Sequence, residues 1–274
     1  MAGFWRRFLR HRVGVAAAFY VLVLLVANAA AHVFSGIDPQ ELSNSVMVAP
    51  SFDHPLGTDE LGRDVLAGLI QGIEVSLGVG FFAALAATVI GVLVGAFVGY
   101  YGGWLDLVVM RIAEIFQVVP SFILAAVIVA LSGPGLTRIV AVIALLAWPQ
   151  VARIMRGEVM RVKTLEFVDA VRCLGIAERK ILVREVIPNA IAPSLALGTL
   201  VIGQAILLEA SLSFFGLSSP DIVSWGRMLN SGQRFLFNAW WLSVFPGLAI
   251  FATVLAFNLL GDAVGSALNP RSAR

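Results

Sequence analysis

The sequence predicts an all-α integral membrane protein with six transmembrane helices, and three observations carry that prediction. Hydrophobic residues fill 59% of the 274 positions and charged residues only 13%, about half the share in a soluble domain. Long apolar intervals separate the charged residues. Lysine and arginine crowd into alternate intervals, the pattern that orients helices in a bilayer.

A span needs ~20 mostly apolar residues to cross ~30 Å of hydrocarbon. The interval from Arg12 to Asp38 encloses the first span and that from Glu74 to Asp106 the second. Glu114 to Arg138 encloses the third, Glu185 to Glu209 the fifth and Arg234 to Asp262 the sixth. Ile139 to Ala152 is the short one, because its 14 residues rise only ~21 Å. It crosses if Arg138 and Arg153 snorkel outward and the helix continues toward Arg156.

Fourteen of the 19 lysines and arginines fall on one side of this arrangement: Arg6 to Arg12, Arg153 to Arg184, and Arg271 with Arg274. The opposite side holds Arg63, Arg138, Arg227 and Arg234, and Arg111 sits near the inner end of span three. The rule that positive charge stays inside then places both termini in the cytoplasm. An arginine-rich start before an apolar run and Ala29-Ala30-Ala31 also fits a cleaved leader. The run exceeds the 7–15 residues of a leader core, however, and cleavage would leave five spans.

Span two carries Ala83, Ala87, Gly91, Gly95 and Gly99, a small residue at every fourth position. Such a stripe lets helix backbones approach closely in lipid, either in ordinary packing or at a crossing near a moving pathway. Pro120, Pro149 and Pro246 lie in or near spans three, four and six and can kink them. The polar residues Glu114, Gln117, Gln204, Glu209, Asn258 and Asp262 fall mostly near span ends, within reach of headgroups or water. The central acidic or histidine chain of a proton-coupled transporter is missing, as is a voltage sensor's arginine repeat.

No energy source is visible in the chain. Lys163 and Lys180 are the only lysines, and neither follows P-loop glycine spacing. Leu131-Ser132-Gly133-Pro134-Gly135 reads as a turn. The single cysteine, Cys173, excludes an intramolecular disulfide and a CxxC site. A net charge of +2 is too small to imply nucleic acid binding. Trp225, Trp240 and Trp241 suit an interfacial aromatic belt.

The segment from Arg153 to Pro193 is too polar to span and too long for a turn. Val159, Val162, Leu165 (or Glu166), Val168 and Cys173 have helical spacing up to Gly175, which allows chain reversal. A second helix runs from about Ala177 to Val186, with Ile181, Leu182 and Val186 on one side, and ends at Pro188. Two short helices joined at a glycine form a cytoplasmic knob. Its eight basic residues suit either anionic headgroups or a soluble partner.

Phe167-Val168-Asp169-Ala170-Val171, then Gly175 and Ile187-Pro188, resemble the EAA loop of binding-protein-dependent ABC importer permeases. That pattern is Glu-Ala-Ala, three residues, Gly, nine residues and an apolar-x-Leu-Pro ending. Here Asp169 replaces Glu, Val171 replaces the second Ala, and Glu185 stands at an apolar position. His54-Pro55-Leu56-Gly57-Thr58-Asp59-Glu60-Leu61-Gly62-Arg63-Asp64-Val65 resembles the opening motif of C-type permeases of dipeptide, oligopeptide and nickel importers. Tyr101-Gly102-Gly103-Trp104-Leu105-Asp106, Glu209 to Leu217, Ser224-Trp225-Gly226, and Asn258-Leu259-Leu260-Gly261-Asp262 continue it. Ala267-Leu268-Asn269-Pro270 departs slightly from the family's ending.

The resemblance implies a bacterial inner-membrane permease subunit without catalytic residues. Residues 1–74 would form the tail, first span and extracytoplasmic segment, 75–265 the permease core with its EAA loop at 157–192, and 266–274 a cytoplasmic tail. A homologous B-type permease would complete the pathway, and two cytoplasmic ATPases, carrying ATP and Mg, would dock at the EAA loop. An extracytoplasmic solute-binding protein would deliver a peptide or another small solute. No metal or other cofactor is implied in this chain. For His54 and Asp59 the residues alone leave two readings, metal ligands or a structured outer turn, and Asp59, Arg63 and Asp64 can satisfy one another. Glu209 can touch substrate or bond a neighbouring helix.

Overall fold

The computed structural model describes residues 2–33, 45–219 and 221–268. Asp38, Asn269-Pro270, Arg271 and Arg274 lie outside them. A short amphipathic helix α1 (Ala2–Arg10) precedes α2 (Arg12–Val33). Helix α3 (Val65–Tyr101) follows the residue 45–64 turn, and α4 (Gly103–Val118) and α5 (Ser121–Ser132) come next. Then come α6 (Leu136–Val162), the short α7 (Glu166–Cys173) and α8 (Glu178–Ile181), a π-helical turn at Leu182–Val186, and α9 (Ile187–Ala190). Helices α10 (Ala192–Phe214), α11 (Trp225–Gly232) and α12 (Trp241–Leu268) complete the order.

Five of these helices are long and apolar enough to cross a membrane, and the spans number six if the bent α4–α5 pair counts as one. Five of the predicted spans therefore stand with altered limits, and the third corresponds to the bent pair. Helix α3 starts nine residues before Glu74, so the 74/75 boundary falls inside it. Asp64 makes that start possible by accepting the backbone N–H groups of Leu66 and Ala67 at 2.8 and 3.1 Å, donors that a helix start otherwise leaves unpaired.

The third span is not a simple crossing. Helices α4 and α5 meet at 91°. Pro120 lacks an N–H and disfavours helical backbone in the residue before it, and Val119 is extended at φ −82°, ψ 132°. The fourth span is longer than its apolar stretch. Helix α6 runs 27 residues, about 40 Å, and carries Arg153, Arg156 and Arg161 into the segment read as a loop. Pro149 sits inside it without ending it.

The small-residue stripe is the seam between α3 and α6. A Cβ on Gly91 would fall 2.5 Å from Val151 Cβ, one on Gly99 would fall 2.8 Å from the Arg156 carbonyl oxygen, and one on Gly95 would collide with the Ala152 carbonyl. Ala83 and Ala87 are fully buried on the same stripe. Only glycine permits this backbone approach, so the two helices form one body.

Glu209 lies deep in the bundle, 1% exposed, rather than at a watery span end. It accepts from Ser213 at 2.7 Å and Ser76 at 3.5 Å, which ties α10 to α3. Trp225 and Trp241 also leave the expected aromatic belt, at 1% and 5% exposure. Their indole N–H groups bond the carbonyls of Leu69 and Thr58, because a buried indole needs an acceptor. Trp240 is half exposed.

Candidate docking site

The sequence-predicted site residues fall into two groups at opposite ends of α3. The 37 residues of that helix place them about 55 Å apart.

At the Val65 end, residues 54–64 form a self-bonded turn. Gly57 and Gly62 take φ of +81° and +80°, a conformation glycine adopts without a Cβ penalty. Thr58, fully buried, pairs with Asp64 in a β-bridge, accepts from the Val48 N–H and donates to the Ser45 carbonyl. Asp59 accepts the N–H groups of Leu61 and Arg63 at 2.9 and 2.7 Å. His54 Nδ1 meets Asp64 Oδ2 at 3.1 Å. Leu56 packs beneath the turn beside Trp241, and Leu61 is exposed. Asp59 and Asp64 thus hold backbone, that of Arg63 included, and His54, and neither forms an ion pair with the Arg63 guanidinium. Glu60 Oε2 and Arg63 Nε are buried without a hydrogen-bond partner, beside a cavity that Arg227 and Ser231 of α11 also line.

At the Tyr100 end, the chain from Lys163 to Ile191 forms the knob. Val168 of α7 is fully buried, as are Ile181 and Val186, against Met155, Val159 and Val162 of α6. Val159, Val162, Val168, Ile181 and Val186 are positions the helical spacing selects, but Leu165 and Cys173, selected with them, are exposed. Gly175 turns the chain at φ +74°, and a Cβ there would meet nothing within 4 Å, so the glycine serves conformation rather than close packing.

Pro188 does not end the second helix. The π-helical turn Leu182–Val186 precedes it and α9 carries it near its start, where a missing N–H costs little. The Asn189 side chain donates to the Glu185 carbonyl at 2.7 Å, and helical structure continues almost unbroken into α10.

The outer face of the knob sets three large apolar side chains among charged ones. Phe167 is 39% exposed, Leu174 78% and Ile176 41%, and Asp169, Ala170 and Pro188 are exposed beside them while Val171 is half-buried. Arg172 binds Asp169 at 2.8 Å and Glu178 at 3.0 Å, and Glu178 also accepts from the Tyr100 hydroxyl. That phenol bond and Arg172 hold the Glu178 carboxyl below the usual glutamate range. Arg172 is raised in turn, by Tyr100 first and then by Glu178. Lys163 Nζ donates to the carbonyls of Gly99 and Tyr100 at 2.7 and 3.1 Å. Arg156 grips Asp106 of α4 through two 2.5 Å bonds. Sequence reasoning missed Tyr100 and Glu178, since nothing in either residue's neighbours signals a bond across 78 positions.

With this geometry in place, comparison with known proteins becomes informative. Residues 91–274 match the family described as binding-protein-dependent transport system inner membrane component. The chain is 38% identical over 271 residues to the glutathione transport system permease protein GsiD of Pectobacterium atrosepticum, covering 98% of this chain and 90% of that one. It is 37% identical to GsiD of Escherichia coli O6:K15:H31, covering 98% and 89%. Among solved structures, an inward-facing form of the MetNI methionine ABC transporter superposes with a TM-score of 0.61 at 20% identity, covering 73% of this chain and 95% of the other.

Proposed function

This chain belongs to the binding-protein-dependent transport inner membrane component family, whose members are ABC-importer permeases of the bacterial inner membrane, and we propose how its two ends divide the work. The knob at Phe167–Gly175 is the docking site for ATPase subunits, which bind ATP and Mg and supply the energy this chain lacks. The turn at His54–Asp64 faces the opposite compartment, where a solute-binding protein delivers cargo. A homologous B-type permease completes the pathway. Both termini are cytoplasmic in this reading, in keeping with the lysine and arginine bias.

One observation carries the docking assignment: a water-side loop with a buried anchor row also presents Phe167, Leu174 and Ile176 outward. Such a patch marks a contact surface, and on a segment this rich in charge it supports a soluble protein as the occupant. Gln117, Gln204 and Asn258 are exposed on helices α4, α10 and α12, and polar groups facing lipid are costly. They support a protein-facing or water-facing side, as a two-subunit pathway requires.

For cargo we infer glutathione or a related small peptide, from the identity to the GsiD permeases. The chain itself performs no bond-making step; ATP-driven movement of the docked subunits reaches it as a rigid-body shift at the knob. Gly175→Pro tests this directly. It should insert normally but uncouple ATP hydrolysis from glutathione uptake in proteoliposomes, and unchanged uptake would count against the reading. Uptake that persists without any ATPase subunit would defeat it.

A further inference from the structure

We propose that Tyr100 and Glu178 are positioning residues that fasten the knob to the end of α3, so that a push on the knob is delivered to that span. The inference rests on the reading of the knob as the ATPase docking site.

Tyr100 is the penultimate residue of α3 and is 7% exposed. Its ring is held in the core that joins α3, α6 and the knob, which leaves the hydroxyl little freedom. That hydroxyl donates to one oxygen of Glu178, and the other oxygen accepts from Arg172. Arg172 then holds Asp169 in the preceding turn of α7. One carboxylate therefore bridges the end of a span and both short helices of the knob. Bonds to ionised groups are the stronger class, and three of them in series join four residues, Tyr100, Glu178, Arg172 and Asp169.

Two further contacts make the fastening one-sided. Lys163 caps the α3 carbonyls of Gly99 and Tyr100, groups a helix end leaves unpaired. The glycine seam prevents α3 from sliding against α6. Immediately beyond Tyr101 the chain turns at Gly102 and Gly103, with φ of +65° and +66° and open space around both. Helix α4 starts there, joined to α6 by the Arg156–Asp106 pair. The Tyr100–Glu178 bond thus gives motion of the knob a direct route to the end of α3, beside the packing of its buried row on α6, and the two glycines let α4 leave α3 at a different angle.

The test uses the assembled transporter with its ATPase subunits in nanodiscs. Hydrogen exchange is compared between the nucleotide-free and ATP–vanadate-trapped states. In the wild type, trapping should alter exchange in both the knob (residues 166–178) and the α3 end (94–101). Tyr100→Phe keeps the ring and removes only the bond. The knob should still respond within about twofold, and the α3 response should fall about fivefold, within the range of ordinary coupling energies. Glu178→Gln keeps an acceptor for Tyr100 but loses the charge facing Arg172, and should fall between. An α3 response in Tyr100→Phe equal to wild type overturns the proposal. So does loss of response in both segments together, which would make Tyr100 a prop for the knob's own fold. If the wild-type knob itself does not respond to trapping, the docking assignment fails and this inference fails with it.

Discussion

The turn at the start of α3 and the knob at its end both carry charged and apolar residues, yet they use them in opposite ways. In the turn, Thr58, Asp59 and Asp64 direct their oxygens to backbone N–H groups or to His54, and Trp241 seals the underside. Its shape is set by polar bonds made within itself and to the helix it caps. In the knob, a buried row of Val168, Ile181 and Val186 sets the shape, while Phe167, Leu174 and Ile176 are left in the open. The contrast teaches where a partner is required. The turn leaves Glu60 Oε2 and Arg63 Nε unpartnered beside its cavity, whereas the knob leaves Phe167, Leu174 and Ile176 exposed over a buried apolar row.

Substitutions can break this contrast or sharpen it. The largest effect belongs to the body that joins the two ends. Gly95→Leu would drive a side chain into the Ala152 backbone, at or beyond the roughly 3 kcal/mol upper range of over-packing. Little folded permease should survive detergent extraction and size-exclusion chromatography. Next comes the buried row: Ile181→Ala should cost about 2–4 kcal/mol and lower the melting temperature of the purified subunit. Leu174→Ala, its outward counterpart, should change stability by no more than about 0.5 kcal/mol while weakening ATPase co-purification.

At the other end, Asp64→Ala should cost about 1 kcal/mol as a lost helix cap, read as a lower melting temperature, with ATPase co-purification unchanged. The smallest effect is that of pH on the knob. Glu178 is held below its ordinary 4.5, so its contribution to folding is whole above that value and is lost as pH falls through the lowered one. Protection factors in residues 166–178, corrected for the intrinsic exchange rate at each pH, should therefore stay constant from about pH 8 to 6 and fall only under acid conditions.

Much of the fold was legible because apolar length and small-residue spacing are local signals. The intervals between charges locate the five long apolar helices but enclose only part of the bent α4–α5 pair, and the Ala83–Gly99 stripe announces a close crossing before its partner is known. Helical spacing finds Val168, Ile181 and Val186 as inward residues of the knob, but also points to Leu165 and Cys173, which are exposed. What stayed hidden depends on distant partners. Nothing near Trp225 announces that its indole will bond Leu69, so it reads as a belt residue. Glu209 reads as a span-end carboxylate until Ser76 of α3 and Ser213 surround it. Pro120 signals a kink, but the 91° bend depends on what the flanking helices pack against. Pro188 signals a stop, and the π-helical turn before it removes the need for one. In the candidate sites, the motif residues were visible as a resemblance, whereas the Tyr100–Glu178 bond exists only once α3 and the knob have folded together.

The claim that the knob receives a soluble motor, rather than lying on headgroups, is tested most directly by site-specific photo-crosslinking in the assembled transporter. A crosslinker at Leu174, 78% exposed in the knob, is compared with one at Phe52, fully exposed beside the turn. The account predicts a covalent adduct between position 174 and an ATPase subunit, and none between position 52 and that subunit. Adducts of position 174 with lipid alone, or of position 52 with the ATPase, would contradict it.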